Sequence, residues 1–167
     1  MPASRADLLN RLQYLGIATT TVEHAPVFTV EEAKQVHDNI PGGHCKNLFC
    51  KDEKGVLWLI VALEDSRIDL KTAPAKMGSK RLSFGKPDLL MEVLGIQPGS
   101  VTPFALINDT QIQVNVILDA AMMRQPILNY HPLENNATMA ISNADLEKFI
   151  RACGHAPRTV AVSDPLP

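Results

Sequence analysis

Ile40-Pro41-Gly42-Gly43-His44-Cys45-Lys46-Asn47-Leu48-Phe49-Cys50-Lys51 opens as a Pro-Gly-Gly turn and continues as an alternating segment. That pattern predicts a turn feeding a strand. Side chains along a strand alternate between faces. Lys46, Leu48 and Cys50 therefore share one face, and Cys45, Asn47, Phe49 and Lys51 share the other. A turn signal, Asp52-Glu53-Lys54-Gly55, separates this strand from Val56-Leu57-Trp58-Leu59-Ile60-Val61-Ala62-Leu63. The second run is almost continuously apolar and of strand length, as expected of a central strand covered on both faces. The two segments form a predicted hairpin, with Lys46 on the partner of the central strand.

Upstream, Ser4 can cap a helix whose Leu8, Leu12 and Leu15 fall on one face, and Gly16 stops it. Thr19–Glu23 is predicted as a strand, broken by His24-Ala25-Pro26. Thr29 with Glu32 forms a capping-box pattern for a helix through about Val36. Downstream, Asp69–Met77 carries helix signals interrupted at Pro74, and Leu82-Ser83-Phe84 is a short strand. Pro87 opens a helix striped by Leu89, Leu90, Val93 and Leu94. Val114–Leu118, Ile127–Tyr130 and Met139–Ile141 are further strands, and Ser142 caps a helix with Leu146, Phe149, Ile150 and Cys153 inward. Arg158–Val162 is a last strand, and the tail from Asp164 to Pro167 is expected to be loose.

Strands interleave with short helices, without the strict alternation of a doubly wound sheet. The predicted fold is α+β: one domain over residues 1–163, with a curved mixed β-sheet or barrel and helices packed outside. The 167 residues suit one core, at 46% hydrophobic and 20% charged. A net charge of -2 excludes a protein that grips nucleic acid by bulk charge, so any RNA contact must be a local patch. No apolar run is long enough to span a membrane and no signal peptide is evident, which makes a cytoplasmic location the expectation. Cys45, Cys50 and Cys153 are expected to be reduced thiols; they lack zinc-ligand spacing, so no metal is expected. His44 beside Cys45 resembles a base and nucleophile, but strand neighbours point apart, so a dyad is rejected. His24 and His37 stand isolated in the sequence, as surface or hydrogen-bonded residues.

Four features could carry chemistry, and each has a plainer alternative. Lys46 is either a lysine snorkelling from a strand end or an ammonium at the rim of a pocket. Gly99-Ser100-Val101-Thr102-Pro103 is either a connector or a loop that aims N–H groups at one oxygen. His131, held extended by Pro132, either bonds a turn or binds a ligand at a strand end. Lys71, Lys76, Lys80, Arg81 and Lys86 form either a solvated helix face or a phosphate-binding patch.

The segment Pro41–Phe49 resembles the lysine-bearing strand of the YbaK-type aminoacyl-tRNA editing domains, most closely the free-standing bacterial prolyl-tRNA editing proteins. The Gly99-to-Pro103 loop resembles the family's Gly-x-x-x-Pro loop, and His131-Pro132-Leu133 with the Asn and Thr that follow resembles its third signature. Glu23–Ala33 looks like the same group, and the segments occur in the family order. The resemblance implies hydrolysis of a mischarged aminoacyl-tRNA, most directly alanyl-tRNA(Pro), since a pocket shaped for proline cannot fully exclude alanine. Cysteinyl-, seryl- or threonyl-tRNA substrates, or a non-hydrolytic tRNA- or synthetase-binding module, are the alternatives. By the same resemblance Lys46, Gly99 and His131 are catalytic, and Asn47, Ser100, Val101, Thr102 and Pro103 hold substrate. Lys76, Lys80 and Arg81 would hold the acceptor stem. The implied partners are the acceptor end of tRNA(Pro) and, optionally, prolyl-tRNA synthetase, with no cofactor, no DNA and no membrane, and a monomer is expected.

Overall fold

In a computed structural model, which describes residues 1–26 and 29–164, the predicted hairpin lies in the middle of an open mixed sheet. Helix α1 (Arg5–Tyr14) starts at Ser4, whose hydroxyl accepts from Asp7 N while the Asp7 carboxylate accepts from Ser4 N. Strand β1 (Thr20–Glu23) and helix α2 (Val30–Asn39) follow, the latter capped by Thr29 and three residues longer than predicted. The hairpin is β2 (Gly43–Asp52) and β3 (Leu57–Leu63), in a register that pairs Lys46 with Ala62 and Cys50 with Trp58. Asp52 ties its turn by accepting from Lys54 N, Val56 N and the Trp58 indole.

Helix α3 covers only Ala73–Met77, since Pro74 fits a first turn and not a helix interior. Strand β4 (Leu82–Phe84) and helix α4 (Pro87–Leu94) agree with expectation. The apolar Phe104–Ile107 segment lies in a 3-10 turn, Pro103–Asn108, capped by the Thr102 hydroxyl. Then come β5 (Val114–Asp119), β6 (Ile127–Tyr130), β7 (Ala137–Ser142), α5 (Asn143–Ala152) and β8 (Arg158–Val160).

The strand order is β1-β7-β6-β2-β3-β5-β8, with β4 also on β2. The sheet is therefore open, with β1 and β8 as its ends, which decides between the sheet and the barrel. Leu57, Leu59 and Val61 face the larger core, under α1, α4, the 3-10 turn and α5. Trp58 and Ile60 face a smaller core with Cys50, Ala73, Met77 and Val162. β3 is thus buried on both faces, as its composition demands. The tail is not loose at Asp164: its backbone N–H donates to Arg67 O and its carboxylate pairs with Arg67 and Lys76. Residues 165–167, and Val27 and Phe28 of the Glu23–Ala33 segment, lie outside the described residues.

β2 is longer than any one neighbour on its second side. Its start runs parallel to β6, pairing His44 with Asn129, and its end runs antiparallel to β4, pairing Cys50 with Phe84. Between these pairings the two neighbours diverge. Cys45 and Asn47 lie in the gap.

Candidate active site

A small chamber of about 30 Å³ sits where β2 leaves β6, closed by Cys45, Asn47, Asn129, Tyr130, His131 and Thr138. It has room for only a few heavy atoms. His37 from α2 and His44 also line it, and both border a neighbouring cleft of about 730 Å³ that includes Glu64 and Ser66. Two of the predicted residues, Asn47 and His131, thus meet, although 84 positions separate them along the chain.

Most of these side chains are held from outside the chamber. His131 Nδ1 lies 3.1 Å from Ala137 O and His44 Nε2 lies 2.9 Å from Ile40 O. Carbonyls only accept, so both of these ring nitrogens carry the proton. His44 stacks on His37, with ring centroids 4.1 Å apart, and His37 Nδ1 lies 2.7 Å from the Glu64 carboxylate. His37 and His24 are therefore not isolated: His24 Nε2 lies 2.8 Å from Thr138 Oγ1. Asn129 donates to Pro41 O at 3.0 Å and Gly43 O at 3.3 Å, so the Pro-Gly-Gly turn fixes its amide.

Burial keeps four of the lining groups neutral. Burial, more than any other influence, holds His131 and His44 below the ordinary histidine range. Burial pushes the Cys45 thiol up to about 12 and the Tyr130 phenol well above its usual value. Cys45 is therefore no thiolate nucleophile at neutral pH, in keeping with the rejected dyad. Among the described residues no group of three or more His, Cys, Asp or Glu could hold a metal ion.

The depressed histidines set a pH dependence. Below the ordinary histidine pKa of about 6.5 the unfolded chain takes up protons first, so the stability these residues contribute is full above that pH. It is lost as pH falls through their folded values. Activity that needs neutral imidazoles should show its acid limb below pH ~6.5 as well. A kcat/KM profile and a Tm series between pH 4 and 8 check both, and a plateau in kcat/KM down to pH 4 would contradict the assignment.

The remaining predicted residues are distributed as follows. Lys46 is half-buried on the opposite face of β2 from Asn47, and its amine donates to the carbonyl of Ser66, a residue lining the larger cleft. Gly99 is exposed at φ +91, with nothing within 4 Å of the place a Cβ would take. Its loop reaches the core through Val101, Thr102 and Pro103, and the following Phe104 meets Tyr130 edge-on at 6.0 Å. Ser100 is half-exposed. Lys46, Gly99 and His131 are thus not in mutual contact in the free protein.

Of the predicted stem contacts, Lys80 and Arg81 are exposed, but Lys76 is engaged by Asp164 at 3.3 Å. Arg81 lines a groove of about 670 Å³ with Lys51, Lys86 and Phe84, alongside Glu53, Asp88 and Glu92. Phe84 is 63% exposed there. Spacing did not mark Lys51 or Phe84, because β4 joins β2 only through tertiary pairing. Asn47 and Lys51 are four residues apart on one strand, so the groove and the chamber lie about 13 Å from each other.

Residues 24–149 match the aminoacyl-tRNA editing domain. The chain is 37% identical over 161 residues to the prolyl-tRNA editing protein ProX of Acetoanaerobium sticklandii, covering 96% of this chain and 98% of that one. It is also 37% identical over 158 residues to prolyl-tRNA synthetase associated domain-containing protein 1 of Mus musculus, covering 92% and 93%. The crystal structure of a candidate trans-editing enzyme for prolyl-tRNA synthetase shares the fold, with a TM-score of 0.72, 20% identity, and coverage of 99% and 100%. By the extent of these matches, the chain belongs to the aminoacyl-tRNA editing domain family.

Proposed function

We propose that this protein hydrolyses the ester of mischarged tRNA(Pro), and that the amino acid released is alanine. The observation that carries this is the size of the chamber: about 30 Å³, beside a cleft of about 730 Å³. The side chain of alanine is one carbon. Proline adds a three-carbon ring, serine and cysteine two heavy atoms, and threonine three. A chamber of so few heavy atoms accepts the methyl and ammonium of alanine and excludes the bulkier cognate ring, which is the discrimination an editing site needs. The names of the relatives, a prolyl-tRNA editing protein and a prolyl-tRNA synthetase associated protein, support the tRNA and the synthetase as partners. A cytoplasmic location would fit these partners.

In this reading His131 and Asn47 hold the aminoacyl group. The Lys46 amine exchanges the Ser66 carbonyl for the terminal phosphate in the adjoining cleft. N–H groups of the Gly99–Pro103 loop meet the oxyanion that forms when water attacks the ester carbon. The carbon–oxygen bond to the ribose then breaks, and the ribose oxygen leaves with a proton, assisted by the neighbouring ribose hydroxyl. With the Cys45 thiol pushed up to about 12, direct attack by water is favoured over an acyl-enzyme. Arg81, Lys51 and Lys86 contact the stem phosphates, and Lys80 adds to that field.

A panel of tRNA(Pro) charged with Ala, Cys, Ser, Thr and Pro tests the reading through the rate of amino acid release. Alanine should be released fastest and proline not measurably above background. Release of none would overturn the hydrolase reading and favour a binding module; faster release of serine or threonine would overturn the size argument.

A further inference from the structure

We propose that Asn47 and Asn129 form a subsite for the α-ammonium group of the aminoacyl ester. The inference rests on the deacylase reading and adds to it that the chamber binds the ammonium as well as taking the methyl.

Both side-chain oxygens are buried and have no hydrogen-bond partner among the described residues, and both residues line the same chamber. Buried acceptors are almost always met, so a pair left open in one cavity points to a ligand that donates. Asn129 is only 2% exposed. Its amide nitrogen is committed to Pro41 O and Gly43 O, so its oxygen is the end left to the chamber. Turning the amide over would set that oxygen against two carbonyls.

Apart from the Asn47 amide nitrogen and the His37 ring, the rest of the lining is short of free donors. His131 and His44 spend their ring N–H groups on Ala137 O and Ile40 O, which leaves each neutral ring an acceptor nitrogen. The Cys45 thiol is directed at Gly43 O, and the Tyr130 hydroxyl at Met122 Sδ. His24 Nδ1 is used on Ala25 O, so the Thr138 hydroxyl donates to His24 Nε2. An acceptor-rich lining calls for a donor-rich group. The ester has no donor, the alanine methyl has none, and a ribose hydroxyl has one. The ammonium has three and accepts nothing. His131 and His44, held neutral by burial, do not repel it, and Lys46 stands on the other face of the strand.

The test compares alanyl-tRNA(Pro) with lactyl-tRNA(Pro), which keeps the methyl and the ester but replaces the ammonium by a hydroxyl. Each kcat/KM is divided by the uncatalysed hydrolysis rate of the same ester, because the two esters differ in intrinsic lability. The wild-type protein should favour the alanyl ester by about 100-fold. Asn47→Ala should shrink that preference at least about tenfold by slowing the alanyl ester more than the lactyl one. The preference is a ratio on one protein sample, so a partly unfolded variant does not distort it. Equal hydrolysis of both esters by the wild type, or equal slowing of both by Asn47→Ala, overturns the subsite while leaving the deacylase reading in place. If neither ester is cleaved, the deacylase reading has failed and the subsite falls with it.

Discussion

Lys46→Ala lowers kcat/KM toward alanyl-tRNA(Pro) by about 100-fold or more, with the fold intact. The residue is half-buried, and its single described polar contact is the Ser66 carbonyl beside an open cleft. Water can reach that carbonyl once the amine is gone, so the stability cost should stay within about 1 kcal/mol. The loss of activity would come from a different term, an unneutralised phosphate in a partly enclosed site. Lys46→Arg separates the two roles. A guanidinium can still donate to Ser66 O and keep the loop in place, but its broader fork does not reproduce a compact ammonium. Restored stability with low activity identifies the phosphate role; a fully active, folded Lys46→Ala variant removes Lys46 from the mechanism. Single-turnover deacylation with a thermal melt on the same samples makes the measurement.

The hairpin could be read from the chain because its information is local. Alternation in β2 and continuity in β3 assign faces, and the observed pairing of Lys46 with Ala62 follows from the intervening turn. Helix starts at Ser4, Thr29 and Ser142 were legible for the same reason, since a cap and its N–H lie three residues apart. The site was legible only in part. Asn47 and His131 were identified by resemblance, but nothing in their spacing shows that they face one chamber. That follows from the parallel pairing of β2 with β6, a contact between segments more than eighty residues apart. His37 looked isolated for the same reason, His44 was legible only as half of a rejected dyad, and Lys76 looked free because Asp164 lies 88 positions away. One signal was available and unused: Asn129 is a lone amide in the apolar strand Ile127-Leu128-Asn129-Tyr130. A buried polar group inside such a run needs a specific partner. Its donors found the glycine turn, and its oxygen is still open.

Gly42→Ala should damage stability and activity together, which distinguishes it from Lys46→Ala. Gly42 has φ +105, outside what an alanine adopts without strain. Its Cβ would also meet Asn129 Nδ2 at 2.9 Å, Ile127 Cγ2 at 3.0 Å and Ile127 O at 3.1 Å. One of those neighbours is backbone within the sheet and cannot swing away. The strain and the collision together should cost about 2–4 kcal/mol, or roughly 5–12 °C in Tm for a domain of this size. The flexible neighbour is Asn129, so the cheapest relief moves its amide off the Pro41 and Gly43 carbonyls. That shift carries Oδ1 out of the chamber. Alanyl-tRNA(Pro) hydrolysis should therefore fall more than about tenfold even at temperatures where the variant is fully folded. Gly99→Ala is the control, because it imposes left-handed strain at φ +91 with no collision. It should lose less stability than Gly42→Ala. A Gly42→Ala variant that melts like the wild type would show that the turn does not clamp Asn129. A destabilised variant with unchanged kcat/KM would show that Asn129 is clamped there without serving the reaction.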